Sequence, residues 1–311
     1  MRQTRKAVGR GPTFALGPRL SRGARQAGVG WAFVGPSTVL IIALSAFPAV
    51  WAWILSQQRW NGFQQARNIG WRNYETMAGD EELLSAISHT VFYTILFVPA
   101  SVLGGLLIAI ALNREIRFIG FYRTCVFVPF VASATAIGIL ANYIFDPQFG
   151  FANTIIKSLG GPVQRFLEDP TQAMMVIAVM TLWSQLGFTV VVYLAALQDI
   201  PKDLTEAATV DGANRLQIFR HVTWPELTPV TVFSTIWQLI GALQLFDVVY
   251  TTTRGGPLGA TQTIVYYLWD QAFQQLKFGY GSAIAYALFG LTLLITLAML
   301  VYSRFAKVQA F

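Results

Sequence analysis

The sequence predicts an all-α fold: a polytopic membrane helical bundle with about six transmembrane helices, both termini cytoplasmic, and a short helix pair in one cytoplasmic loop. Three observations predict it. Apolar residues make up 54% of the 311 positions and charged residues only 12%, a balance that a water-soluble globule does not need. Six apolar stretches each approach the ~20 residues that cross the hydrocarbon at a rise of about 1.5 Å per residue. Lysine and arginine gather on alternate connections between those stretches.

Residues 1–30 carry seven basic groups (Arg2, Arg5, Lys6, Arg10, Arg19, Arg22 and Arg25) and no acid, while the other 281 residues hold 15 of each sign. This basic tail has no interleaved aromatics and runs straight into an apolar segment. It reads as a cytoplasmic anchor flank and not as a nucleic-acid arm. The first stretch, 31–55, is too long and too rich in tryptophan (Trp31, Trp51, Trp53) for a cleaved signal peptide, so it is a retained anchor.

The remaining stretches are 89–112, 121–145, 173–197, 230–250 and 283–302. Pro48, Pro99, Pro129 and Gly138 fall inside them, as membrane helices tolerate when neighbours satisfy the freed backbone groups. Gly104, Gly105 and Ala109 are small enough to let helices approach closely.

With the N-terminus inside, the inner parts hold 15 basic residues: the tail's seven with Arg114, Arg117, Arg123, Lys202, Arg215, Arg220, Arg304 and Lys307. The outer loops hold seven: Arg59, Arg67, Arg72, Lys157, Arg165, Arg254 and Lys277. That bias sets the orientation. Trp60, Trp71, Tyr74, Tyr266, Tyr267 and Trp269 supply the interfacial aromatics.

Other chemistry is sparse. Cys125 is the single cysteine and reads as a packed membrane thiol, and His89 and His221 have no second ligand at metal spacing. No phosphate-binding G-x-x-x-x-G-K-[ST] loop, G-x-S-x-G or H-E-x-x-H pattern occurs. A metal site, a bound cofactor and a catalytic constellation are therefore not expected in this chain.

The inner loop 198–229 stands out. Pro201 suits a first helical turn. Leu204, Ala207, Ala208 and Asp211 follow at helical spacing and Gly212 interrupts. Leu216, Phe219 and Val222 recur before Pro225 and Pro229 stop the pattern. Glu206-Ala207-Ala208, three residues, Gly212, nine residues and then Val222-x-Trp224-Pro225 resembles the EAA signature of ATP-binding-cassette importer permeases. Valine and tryptophan stand where the signature has isoleucine and leucine. The run 145–150 with Asn153, Gly255-Gly256-Pro257 and Thr261-Gln262-Thr263 is similar to the maltose and glycerol-phosphate type of carbohydrate permease. Arg254 departs from that pattern, standing where a small residue is usual.

The resemblance covers roughly residues 30–305, giving a basic tail 1–30, a transmembrane domain 31–305 with its coupling loop 198–229, and a tail 306–311. It implies a permease translocating a sugar, polyol or glycerol-phosphate solute. Its partners would be a second homologous permease subunit, two ATPase subunits that bind ATP and Mg, an external solute-binding protein, and the lipid bilayer, in the bacterial inner membrane. Glu206, Ala207, Ala208, Asp211, Gly212, Ala213, Leu216, Phe219 and Pro225 would dock the ATPase. The small residues permit close approach, Gly212 the bend, Glu206 a charged contact, and Leu216 and Phe219 apolar anchors.

Polar groups inside membrane helices face a bundle interior or a cavity. Thr181, Gln185 and Thr189 share one helix face, and Trp237, Gly241, Gln244 and Asp247 another, with Gln238 adjacent. Either they line a solute route, for which Thr181, Gln185, Trp237, Gln244 and Asp247 are the candidates, or they bond helix to helix. An ion-coupled secondary transporter is the alternative function, and it would show internal symmetry and several intramembrane charges.

Overall fold

Helices account for nearly all regular structure in the computed structural model, which describes residues 22–114 and 117–305. The basic tail up to residue 21 and the C-terminal tail 306–311, with Lys307, lie outside the described residues. The chain divides into two units, Met1–Trp51 and Ala52–Phe311.

In the first unit α1 (Arg22–Ile41) passes through a π-turn, Ile42–Ala46, into α2 (Phe47–Ser56), which crosses the boundary. The π-turn has a cause. Pro48 has no N–H, and its ring would press on the carbonyl four residues back; widening the preceding turn moves that carbonyl away.

The second unit begins with a two-residue ribbon, β1 (Gln58–Arg59) antiparallel to β2 (Arg67–Asn68). Then come α3 (Arg72–Ala78) and the long α4 (Glu81–Leu112), capped by Asp80, whose side chain accepts the Leu83 N–H. Next are α5 (Ile119–Val131), α6 (Ala134–Ile144), α7 (Phe151–Ser158) and α8 (Ala173–Asp199). The chain closes with α9 (Lys202–Val210), α10 (Arg215–Ile218), α11 (Trp224–Leu243), α12 (Asp247–Thr251), α13 (Ile264–Trp269) and α14 (Phe278–Phe305).

Among the described residues, five helical runs are long and apolar enough to cross a membrane, or six if the bent pair α5–α6 is one span. The predicted third stretch is thus not a straight helix: its halves meet at 100°. Ala132 and Ser133 turn extended, and Ser133 Oγ accepts the Ala136 N–H at 3.2 Å, restarting the chain as α6. α6 is held sideways on α12, where Gly138 meets Thr251 and Asn142 donates to the Thr251 carbonyl at 3.0 Å.

The predicted fifth stretch also breaks. α11 ends at Leu243 with Gln244 as its cap, and α12 restarts at Asp247. Thr263 donates to the Leu245 carbonyl in the gap at 2.7 Å.

α4 and α8 form the centre of this unit, with α11 against both and α5 along α8. Tyr93, Phe97, Ile177, Tyr193, Leu227 and Val249 fill the core between them. The small residues act as predicted: Gly105 lies against Thr189, and a Cβ at Gly104 would stand 3.3 Å from Leu186. At Gly187 a side chain would strike the Val126 carbonyl, so α5 lies directly on α8. That contact uses the Val126 side of α5 and turns Cys125 outward. The thiol is exposed and not packed as expected. The face of α14 carrying Phe289, Leu294, Leu297 and Val301 is exposed and apolar, as a lipid-facing surface is.

Candidate functional site

The loop 198–229 folds as the sequence predicts at its bend and differently at its end. α9 closes in a tight C-terminal turn: Asp211 N donates to Ala207 O, Gly212 N to Thr209 O and Ala213 N to Ala208 O, each at 3.0 Å. Gly212 has φ +80°, a left-handed conformation that glycine adopts at no steric cost. A Cβ built on Gly212 would meet nothing within 4 Å, so the backbone angle alone calls for glycine. Asn214 restarts the helix through a capping box, accepting Gln217 N at 2.9 Å while Gln217 Oε1 accepts Asn214 N at 2.7 Å.

Beyond the bend, α10 does not stop at Pro225. It runs through a second π-turn, Phe219–Thr223, into α11. Pro225 sits two residues past this turn, as Pro48 does past the first, so the predicted stop is a widened turn instead. Pro201, expected in a first helical turn, is the N-cap of α9.

The surface of the loop is unusual for its composition. Val210 is 87% and Leu216 74% exposed. Glu206, Ala207, Asp211 and Pro225 are exposed, while Ala208 and Ala213 are half-buried. Glu206 has no ion pair among the described residues. Phe219 departs from its expected role as a projecting anchor: it is half-buried, packs on the core and lies 6.3 Å from Trp224, ring to ring. A small hollow of about 330 Å³ opens between Ala208, Asp211, Gly212, Gln217 and His221.

The candidate route residues separate into two groups. Trp237 is 50% exposed, stacked on Phe188 and Phe233 at 5.1 and 6.3 Å, and Gly241, Gln244 and Asp247 are also exposed. Asp247, however, belongs to α12 and not to the helix of Trp237. Gln185 is half-buried. Thr181 is buried, its hydroxyl donating to the Ile177 carbonyl at 2.8 Å.

Thr189 is buried between helices. Gln238, 3% exposed, donates Nε2 to Thr189 Oγ1 at 2.6 Å, and Ser101 Oγ lies 3.3 Å from the same atom. Three helices meet there in one polar knot, which accounts for Gln238 and Thr189 by interhelical bonding. His89 Nδ1 lies 3.2 Å from the Gln262 carbonyl and His221 Nδ1 3.0 Å from the Gln217 carbonyl.

Sequence reading missed a further cluster at the other end of the bundle. Asp80 Oδ2 accepts the Tyr267 hydroxyl at 2.6 Å and also the Tyr280 hydroxyl. Burial pushes the Asp80 carboxyl up, but the two phenols and the Leu83 and Glu82 N–H groups outweigh it and hold it below the usual carboxylate value. Only the cap was readable locally, as an aspartate directly before Glu81-Glu82.

Comparison with known proteins gives this geometry its context. The family model described as binding-protein-dependent transport system inner membrane component matches residues 76–309. The lactose transport system permease protein LacF of Rhizobium radiobacter is 33% identical over 83% of this chain and 88% of its own. The sn-glycerol-3-phosphate transport system permease protein UgpA of Agrobacterium fabrum is 31% identical over 80% and 86%. A probable ABC transporter permease of Pyrococcus horikoshii is 30% identical over 87% and 94%. Among solved structures, a chain of the bacterial alginate ABC transporter, crystallised with its alginate-bound periplasmic protein, superposes with a TM-score of 0.81 at 22% identity, covering 92% of this chain and 98% of that one. The chain belongs to the binding-protein-dependent transport system inner membrane component family, and it is a multi-pass permease subunit of an ATP-binding-cassette importer in the bacterial inner membrane.

Proposed function

We propose that this permease translocates a sugar or a related polyol or glycerol-phosphate solute by alternating access, pairing with a second homologous permease subunit above two ATPase subunits. The names of the lactose and sn-glycerol-3-phosphate relatives support the solute class. In this reading the chain performs no catalysis; partner ATPases hydrolyse ATP, an external binding protein delivers the solute, and both termini face the cytoplasm. The exposed face with Trp237, Gly241 and Gln244 borders the route, where an aromatic ring stacks on sugar CH groups and amides meet hydroxyls. Thr181, Gln185 and Asp247 are the further candidates for lining it.

The observation that carries the coupling role is the 198–229 loop. It presents exposed Val210, Leu216 and Glu206, the last with no ion pair among the described residues, on a bend fixed by the left-handed Gly212. An apolar and charged surface of this kind suits docking into a cleft of an ATPase. Glu206→Lys and Gly212→Asp leave membrane insertion intact and abolish the stimulation of ATP hydrolysis by loaded binding protein in reconstituted vesicles, together with uptake of labelled solute. Normal uptake in both variants removes the coupling role. Glu206→Ala alone is mild, because an exposed ion pair contributes only about 0–1 kcal/mol.

A further inference from the structure

A cavity of about 830 Å³ opens beside the β-ribbon, α13 and the start of α14. Its place in the bundle follows from helix direction. Tyr93 bonds Thr181, and further along both helices Ser101 Oγ lies 3.3 Å from Thr189 Oγ1, so α4 and α8 run the same way. Asp80, at the start of α4, lines the cavity, while the end of α8 leads into the 198–229 loop. The cavity therefore lies at the end of the unit opposite that loop.

Two arginines stand at its rim. Arg59 and Arg67 are directly opposed in the ribbon, both exposed and both lining the cavity. Like charges opposed across an antiparallel pair repel, and neither arginine makes an ion pair among the described residues. The one ion pair among the described residues is Arg165 with Glu168. Asp80 has its Oδ2 engaged by Tyr267 and Tyr280 and its Oδ1 by the Leu83 N–H.

Lys277 adds a third cation, its Nζ 3.1 Å from Gln271 Oε1, so the lining sets three cations against two carboxylates, Asp80 and Glu82. Two guanidinium forks side by side match the oxygens of a carboxylate or phosphate. The side-chain amides of Asn61, Gln64, Gln65 and Gln275 also line the cavity, and such groups bond hydroxyls in either sense. The volume falls within the roughly 300–1,000 Å³ of small-molecule sites.

The geometry points to a second solute site in this cavity, for a small hydroxylated anion such as a sugar acid or sugar phosphate, with its anionic group held between Arg59 and Arg67. The site takes its outward placement from the importer reading and deepens it by naming an anionic solute class; the cavity and the arginine pair stand without it. Calorimetric titration of the intact transporter in nanodiscs tests this, without ATP and without binding protein, using glucuronate, glucose 6-phosphate and glucose as probes.

Both anions bind, glucose at least about tenfold more weakly, and Arg59→Gln/Arg67→Gln loses about tenfold in anion affinity with glucose unaffected. Added salt weakens the anions alone. Equal binding of glucose and the anions overturns the site, as does an unchanged double variant. Anion binding seen only when the binding protein is present also overturns it, since the cavity then serves protein docking. Should the double variant assemble poorly, the salt dependence of wild-type glucuronate binding decides alone. Coupling does not enter this measurement, so normal uptake without anion binding removes the site and leaves the importer reading standing.

Discussion

Asp80 accepts the Leu83 N–H at 3.2 Å through Oδ1 and two tyrosine hydroxyls through Oδ2, joining the start of α4 to α13 and α14. Its carboxyl is held below the ordinary value of 3.8. A depressed acid stabilises the fold fully above its unfolded value and loses that contribution as pH falls through the folded value. Asp80→Ala removes a helix cap worth about 1 kcal/mol and leaves two phenols short of an acceptor, at about 1 kcal/mol or more each where they are buried. The variant should therefore melt several degrees below wild type at pH 7, with the gap closing below pH ~3.8. Thermal unfolding of the detergent-purified transporter at the two pH values checks it. A gap that does not narrow with acid would show the carboxylate's charge to be irrelevant. This cluster was not legible beforehand, because its members lie 187 and 200 residues apart and share no local pattern; only the fold brings them together.

Elements were legible where a local rule decided them. The Gly212 bend follows from a helix that runs out against a glycine, and Gly105 from the need of two helices to touch. The breaks inside apolar stretches were hidden for a physical reason. Membrane depth demands apolar residues whether the backbone is straight or bent, so Ala132–Ser133 and Gln244–Phe246 carry almost no composition signal. Proline misled in the opposite direction, since a π-turn lets α10 flow into α11 past Pro225. Packing makes the sharper predictions. A leucine at Gly105 would drive into Thr189, so Gly105→Leu should cost about 1–3 kcal/mol by overpacking and lower the yield of assembled transporter, while Gly105→Ala should be milder. The Ser101–Thr189–Gln238 knot gives a second test. Thr189→Val and Gln238→Leu should show a coupling of about 0.6 kcal/mol in a double-mutant cycle of unfolding free energies, the typical size for such bonds in a membrane. Strict additivity would mean that the 2.6 Å contact contributes nothing, and that Gln238 is free to serve solute.

At the scale of the whole molecule, two different surfaces stand at opposite ends of the second unit: a hairpin with exposed apolar and acidic side chains, and a polar cavity with Arg59, Arg67 and Lys277 in its lining. An importer needs that asymmetry, because one end must grip a nucleotide-driven partner and the other must meet solute in water. The expected direction of the asymmetry rests on the basic residues, 15 against seven when the N-terminus is placed inside, and on the parallel run of α4 and α8. Orientation is therefore testable apart from transport. Cys125 is exposed and must first be replaced, so the background is Cys125→Ala. Gln64→Cys places a thiol at the cavity end and Val210→Cys places one at the tip of the 198–229 hairpin, where the side chain is 87% exposed. In intact cells that express the permease subunits without the ATPases, an impermeant maleimide should label Gln64→Cys and leave Val210→Cys unlabelled, and after permeabilisation both should react. Exposure at Val210 makes the silent result informative, since a thiol there is withheld from the reagent by the membrane and not by packing. If instead Val210→Cys reacts from outside and Gln64→Cys does not, the bundle is inverted. The hairpin would then face away from any ATPase, and the coupling role and the outer solute site would fall together.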